Sequence, residues 1–431
     1  MANKIQYRRD TAANWTSINP VLAAGEPGFE TDTKKHKIGN GTLAWTALAY
    51  QGPDKTDMSS IVYLGDSLTE QGGLLPAMAD QTRGNAFWPW AQFLTGHRLK
   101  FLKNAGIGGQ NTAQMLARVQ ADVIALNPGW CHILAGTNDI GQAVATATTK
   151  ANLTAILDAL DAANVRPILG TIPPRDTYTG TMRADTANLN AWIKELGRTR
   201  RNLTVVDYHA ALTDPANGKF VTGYAVVDGV HLTNKGGYAG GRLLADAIKV
   251  LVPPLDTLLS DPSDPTNLIG TAGRFPGGAG SIPSGGWTAQ GVAPTYAKTP
   301  RTDGIAGSWQ TVTVASGNSL SLMYNASIGA NLAIGDTVRA TVECKMENLE
   351  AGATGQNLTV YLQAYNGATF TTKSYALYWD SSLPNHPADN RQGVMVTPPL
   401  TVPAGTTLVQ LVITVNGGGT FHYDRADIRK V

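Results

Sequence analysis

A serine hydroxyl, an imidazole and a carboxylate suffice for acyl transfer when a fold brings them together, and this chain offers one such set. Ser67 stands in IVYLGDSLTEQGG, directly after an apolar run and at the entrance to polar residues, where a hydroxyl can face a cleft. Asp228 and His231 stand in VVDGVHLTNKGG, three residues apart, which lets the carboxylate accept from one ring nitrogen while the other faces the serine. Two more segments hold groups able to stabilise an oxyanion. NAGIGGQNT (104–112) has glycines that let backbone N–H groups approach a ligand, and AGTNDIG (135–141) has the donor amide of Asn138. Each segment also has a plain structural reading. Asp66-Ser67 and Asn111 or Thr112 suit helix caps, Asn138-Asp139 suits a turn, and Asp228-His231 suits a capping or ion pair.

The elements around these segments are those that place side chains at one end of a parallel sheet. Apolar runs at 61–64, 99–104, 130–136, 165–171 and 203–208 alternate with amphipathic stretches, for example Leu153, Ile156, Leu157 and Leu160 at helical spacing. Five parallel strands with right-handed crossovers put helices on both faces. Ser67, the glycines and Asn138 then fall beyond the carboxyl ends of strands, where open α/β sheets gather their sites, and Asp228 and His231 precede the last helix.

GDSLT, NAGIGG, GTND and DGVH, in this order, resemble the four blocks of the SGNH (GDSL-type) hydrolases over about 195 residues, 58–252. The resemblance implies a flavodoxin-like three-layer α/β/α domain and a serine esterase. It implies Ser67 as nucleophile, His231 as base and Asp228 as its orienting acid, with an oxyanion hole formed by Ser67, Gly109 and Asn138. Gly108 stands where many relatives have Ser and Gln110 where Asp is frequent, so Gly108 and Gly109 both stay open as the second donor. There is no G-x-S-x-G elbow, the other six histidines lack an aspartate at a similar offset, and no metal motif occurs. No cofactor and no metal are expected.

The flanks differ in pattern. Residues 1–57 are turn-rich, and HKIGNGTLAW predicts two short strands about an Asn-Gly turn. Trp15, Phe29, Ile38, Leu43 and Trp45 are expected to need a partner surface, because so short a segment makes a poor core. RRDTAANWTSINPVLAAGEPGFETDTKKHKIGNGTLAW resembles the N-terminal module of phage tail fibre and tailspike proteins. That likeness implies a homotrimer, tail or baseplate partners and a place in the virion tail. Residues 253–265, with four prolines, read as a linker. Beyond them period-two alternation, as in Leu358, Val360, Leu362 and Ala364, predicts an antiparallel β-sandwich (266–431). Its edges resemble jelly-roll carbohydrate-binding modules. Trp287, Trp309, Trp379, Tyr361 and Tyr365 are its candidates for stacking on sugars, or equally for its core.

Composition narrows the classes. The chain has 431 residues, 42% hydrophobic and 15% charged, with 47 glycines and 23 prolines, enough for several cores joined by many turns. A formal charge of +2 and the lack of a Lys/Arg cluster argue against nucleic acid. No apolar run of about 18 residues and no signal sequence is present, so neither membrane insertion nor export is expected. Cys131 and Cys344 fall in apolar runs and read as core residues. The joint expectation is an esterase that removes O-acetyl groups from a host polysaccharide as part of a phage tail. The alternatives are a free bacterial carbohydrate or xylan acetyl esterase, and a receptor-binding tail protein whose hydrolase domain no longer catalyses.

Overall fold

The computed structural model describes residues 7–33, 35–48, 58–74, 81–254, 264, 266–292, 294–350, 357–378 and 387–431. The 253–265 linker and Trp379 therefore lie largely or wholly outside the described residues. Among the described residues no helix is long and apolar enough to cross a membrane.

In the N-terminal segment, β1 (Arg8–Asp10) pairs with β2 (Pro27–Glu30), which pairs with β3 (His36–Ile38), and α1 (Ala12–Ile18) follows β1. The expected second strand after Asn40-Gly41 is absent. Asn40 Oδ1 instead accepts from the N–H groups of Thr42 and Leu43, and the chain winds into a 3-10 turn at Trp45–Ala47. The physical reason is Trp45, which stacks on Trp15 with centroids 4.2 Å apart and, with Leu22 and Leu48, makes a small core of its own. The expected need for a partner surface is thus met internally for the two tryptophans, while Ile38 and Leu43 remain exposed.

The central sheet is β4 (Ser60–Gly65), β6 (Lys100–Gly106), β7 (Trp130–Leu134), β8 (Arg166–Gly170) and β9 (Thr204–Val206), all parallel, in spatial order β6-β4-β7-β8-β9. In chain order this is 2-1-3-4-5, the flavodoxin-like arrangement, whose switch point lies beside the first strand. α4 (Thr112–Asp122), α6 (Thr146–Ala162) and α7 (Gly180–Thr199) bury Met115, Leu153, Ile156, Leu189 and Ile193 on one face. α3 (Phe87–Thr95), α8 (Tyr208–Leu212) and α9 (Asn234–Leu251) bury Phe87, Trp88, Tyr208 and Leu244 on the other. Short elements at the carboxyl end complete the unit: α2 (Ser67–Glu70), α5 (Thr137–Gly141) and the pair β10 (Thr213–Asp214) and β11 (Lys219–Phe220). Cys131 and Cys344 are both buried.

The C-terminal region is rich in strands. One sheet joins β12 (Trp287–Gly291), β15 (Ser319–Ser327), β21 (Leu408–Asn416), β17 (Asn357–Asn366) and β18 (Thr369–Tyr378). The other joins β13 (Thr295–Pro300), β14 (Ser308–Val314), β22 (Gly419–Lys430), β16 (Thr337–Glu347) and β19 (Arg391–Val396), with β20 (Leu400–Thr401) beside β16. The alternating residues from both sheets share one core, including Val338, Cys344, Leu358, Val360, Leu411 and Ile413. Trp287 and Trp309 are also buried, so these two are core and not exposed stacking surfaces. The first sheet gains a sixth strand from the α/β unit: β5 (Gln81–Arg83) pairs in parallel with β18.

Candidate active site

The site grows from three strand ends. β4 is buried throughout and ends at Gly65, where an added Cβ would lie 2.1 Å from Thr69 Oγ1, so only glycine lets the chain turn straight into α2. Asp66 caps that helix, its Oδ1 accepting from Leu68 N–H at 3.0 Å, and Ser67 is the first helical residue. Its N–H is one of the four at a helix start that have no acceptor within the helix. The cap reading of Asp66 holds, and Ser67 itself is half-buried.

After β6 the chain turns at Ile107–Gln110, closed by Gln110 N–H to Ile107 O at 3.3 Å, with Gly109 at φ +75°. A Cβ on Gly108 would lie 3.8 Å from Ser67 Cβ and 2.7 Å from Glu70 Oε2, whereas one on Gly109 would meet nothing within 4 Å. Gly108 thus keeps the turn close to the serine, and Gly109 supplies the left-handed backbone. After β7, α5 presents Asn138, whose Nδ2 donates to Gln110 O at 3.0 Å. That bond uses one of two amide hydrogens and leaves the other available.

Asp228 and His231 come from the loop before α9, held by Val226 N–H to His231 O at 2.8 Å and Gly229 N–H to Val226 O at 2.9 Å. Asp228 Oδ1 accepts from the backbone N–H groups of Val230 and His231, and Oδ2 lies 2.6 Å from His231 Nδ1. His231 Nε2 lies 2.9 Å from Ser67 Oγ. Burial pushes the Asp228 carboxyl up, but the hydrogen bonds from His231 and Val230 outweigh it and hold the group below its ordinary range. A carboxylate that stays ionised favours the Nδ1–H tautomer, leaving Nε2 to take a proton from the serine.

The structure thus joins Asp228, His231 and Ser67 in one hydrogen-bonded line, sets Gly108 beside the serine and ties Asn138 to the Gln110 carbonyl, while Gly109 shapes the turn; other residues hold these groups in place. Asn104, first residue of the NAGIGG block, donates to the carbonyls of Thr69, Glu70 and Gly73 (3.1, 3.1 and 2.8 Å) and accepts from Gly106 N–H. Asp139, beside Asn138, is fully buried and accepts from Thr112 N–H, Thr112 Oγ1 and Thr149 Oγ1, tying α5 to the starts of α4 and α6. Arg118 donates to Gly65 O, Ala105 O and Gln110 Oε1, clasping the ends of β4 and β6. Asn104 and Asp139 lie within the recognised motifs, so their types were signal enough. Arg118 sits in an amphipathic helix and has no such signal. His132 is buried and bonded to Tyr208 Oη at 2.8 Å, as suits a core histidine.

Residues 63–238 match the model of the GDSL-like lipase/acylhydrolase family. The five-stranded unit is a GDSL-like acylhydrolase domain. With it the chain carries an SGNH-type acylhydrolase, a carboxylic ester hydrolase. Residues 5–43 match the N-terminal domain of the major tropism determinant. Comparison with curated proteins gives no match. Solved structures similar to the acylhydrolase domain include a GDSL-like lipase from Bacteroides thetaiotaomicron, 24% identical, covering 48% of this chain and 94% of that one, with a TM-score of 0.37. A lipase/acylhydrolase from Enterococcus faecalis is 24% identical over 46% of this chain and 99% of that one, with a TM-score of 0.36. An acetylxylan esterase from Geobacillus stearothermophilus, solved as a catalytic mutant, is 22% identical over 44% and 93%, with a TM-score of 0.37.

Proposed function

We propose that the chain is a serine esterase that removes O-acetyl groups from a host surface polysaccharide as part of a phage tail fibre or tailspike. The observation that carries the esterase is the hydrogen-bonded line from Asp228 through His231 to Ser67, with links of 2.6 and 2.9 Å. His231 Nε2 takes the Ser67 proton as Oγ attacks the ester carbonyl. The Ser67 N–H, a backbone N–H of the Gly108-Gly109 turn and the Asn138 amide hold the oxyanion, and protonated His231 delivers its proton to the leaving alkoxide. Water, activated by the same imidazole, then cleaves the acyl-enzyme. Asp228 orients the ring throughout. These steps need only protons and water.

The flanking regions support the finer reading. The match of residues 5–43 to the tropism-determinant domain supports a tail component and placement in the virion. The exposed Ile18, Val21, Ile38 and Leu43 on that segment support assembly into a trimer. In the C-terminal region, which we read as a carbohydrate-binding jelly roll, Tyr361 and Tyr375 lie with ring centroids 5.1 Å apart beside the linked amides of Gln363 and Gln410. Half-buried tyrosines next to side-chain amides suit stacking on and hydrogen bonding to sugars.

The test is acetate release from a panel of O-acetylated polysaccharides, and nitrophenol release from a short-chain ester, by wild type and Ser67→Ala. Wild-type activity on both, reduced by about 10⁴-fold or more in Ser67→Ala, is expected. Activity on neither, with both proteins folded, would leave the non-catalytic receptor-binding protein; a monomer by light scattering would favour a free enzyme.

A further inference from the structure

β8 ends at Gly170 and leads through buried Pro173 and Pro174 to Arg175, at the same end of the sheet as Ser67 and Asn138. Its surroundings place it between two parts of the site. On one side, its Nη1 lies 3.1 Å from where a Cβ on Gly141 would stand, and Gly141 is one helical turn beyond Asn138 in α5. Tyr178, whose ring lies 5.2 Å from the guanidinium carbon, donates its hydroxyl to Thr137 O, next to Asn138. On the other side, Asp176 N–H donates to Gly229 O at 2.8 Å, next to Asp228. The Arg175 side chain thus lies against α5, which carries Asn138, while the backbone of the next residue is tied to the loop that carries Asp228.

The guanidinium is held but not neutralised. Among the described residues no carboxylate pairs with it, its one side-chain hydrogen bond is the 3.5 Å contact from Nη1 to the Tyr178 hydroxyl, and its buried Nε has no partner. Two other part-buried arginines of the domain are matched to carboxylates, Arg118 to Asp122 and Arg200 to Asp158 and Asp161, and Arg98 and Arg183 each donate to two backbone carbonyls. The neighbouring Asp176 carboxylate faces elsewhere and accepts from Phe220 N–H at 2.8 Å. A buried donor without an acceptor is costly, and a planar guanidinium is suited above all to a carboxylate, which it binds through two parallel bonds.

We propose that Arg175 recognises a sugar carboxylate, so that the acetylated substrate is acidic, a uronate or related acid, and the arginine sets specificity by binding. This rests on the reading of the chain as a polysaccharide esterase. The formal charge of +2 supplies no general attraction for a polyanion, so any preference for acidic sugars has to arise at such a point.

The experiment compares the full-length wild type, Arg175→Gln and Arg175→Lys on a mono-acetylated methyl galacturonoside and the matching methyl galactoside. A KM lower by about tenfold or more for the uronate, with similar kcat, is expected of wild type, the range of a hydrogen bond to a charged group. That ratio should fall toward one in Arg175→Gln and return in part in Arg175→Lys. Should the variants fold poorly, galacturonate should still inhibit wild-type hydrolysis of nitrophenyl acetate at about tenfold lower concentration than galactose. Equal KM values, equal inhibition, or an undiminished ratio in folded Arg175→Gln would overturn the assignment while leaving the esterase intact. No hydrolysis of any ester by wild type would overturn the esterase reading, and this assignment with it.

Discussion

Asp66 shows how a residue next to Ser67, the proposed nucleophile, is constrained from several sides. It is fully buried, its Oδ1 caps α2, and its Oδ2 has no hydrogen-bond partner. Burial pushes the carboxyl up to about 7, against the Leu68 N–H bond and the nearby His231, which pull it down, while Asp139 adds to the rise. In an unfolded chain the group titrates near its ordinary value of about 3.9. A folded value above the unfolded one means that the folded state holds a proton the unfolded state has lost. The contribution to stability is complete below about pH 4 and is lost as pH rises through about 7. Asp66→Asn keeps the capping oxygen and has no charge to bury. Its urea midpoint, compared with wild type, should shift progressively in its favour from pH 4 to pH 8; a difference independent of pH would show that Asp66 is not held neutral. The motif announced the cap, since Asp before Ser at a strand end is a common helix start. The raised titration was not legible, because it depends on how deeply α2 is packed and not on the string GDSL.

At the scale of elements, the short helix that carries Ser67 has only four residues and too few hydrogen bonds to stand alone. Asn104 at the far end of β6 supplies what it lacks, through three donor contacts to the carbonyls of Thr69, Glu70 and Gly73. Asn104→Ala leaves these buried carbonyls without that partner and should cost about 2–4 kcal/mol. If Ser67 is the nucleophile, as proposed, the substitution should also lower kcat by about tenfold or more at temperatures where the variant is fully folded, since a small displacement of a reacting group is expensive. Loss of stability with unchanged kcat would make Asn104 a strut with no part in positioning Ser67. The strands on either side were legible because a buried parallel strand is a short apolar run closed by glycine or a polar turn, and all five fell within a few residues of their expected bounds. α3 was not. FWPWAQFLT is apolar on every side and carries Pro89 in its first turn, so it lacks the one-sided period of a surface helix. It is buried on two sides: Phe87, Trp88 and Ala91 join the core against the parallel sheet, and Trp90 and Phe93 join the buried cluster of the C-terminal sheets. α9 meets it through glycines, for a Cβ on Gly240 or Gly241 would come within 2.3 Å of Phe87 or Trp90.

Those contacts bear on the molecule as a whole. The proline-rich stretch suggests two bodies on a tether, yet the packing joins them. Trp90, Phe93 and Tyr238 of the acylhydrolase domain are members of the same buried cluster as Val342, Leu362 and Met395. Arg391 of β19 lies with its guanidinium 5.5 Å from the Trp90 ring and 5.4 Å from the Tyr238 ring, donating to Pro387 O and Asp389 O. The strand β5, tied to the turn after α2 by Arg83 N–H to Gly72 O, adds its edge to β18. Long-range assembly of this kind leaves no periodic trace in either partner, and so sequence patterns separated what the fold unites. Residues 58–431 should therefore unfold as one cooperative unit by calorimetry and urea. Trp90→Ala, which empties a fully buried position, should lower the stability of that single transition by about 3–5 kcal/mol. A chain ending at residue 254 should aggregate or lose its sharp transition, because it exposes Trp90, Phe93 and Tyr238 together with an unpaired strand edge. Two separate transitions, with Trp90→Ala moving only the one that tracks esterase activity, would mean that the contact surface is a docking interface between independent domains. A single transition would instead make the C-terminal sheets part of the scaffold that keeps Ser67 in place.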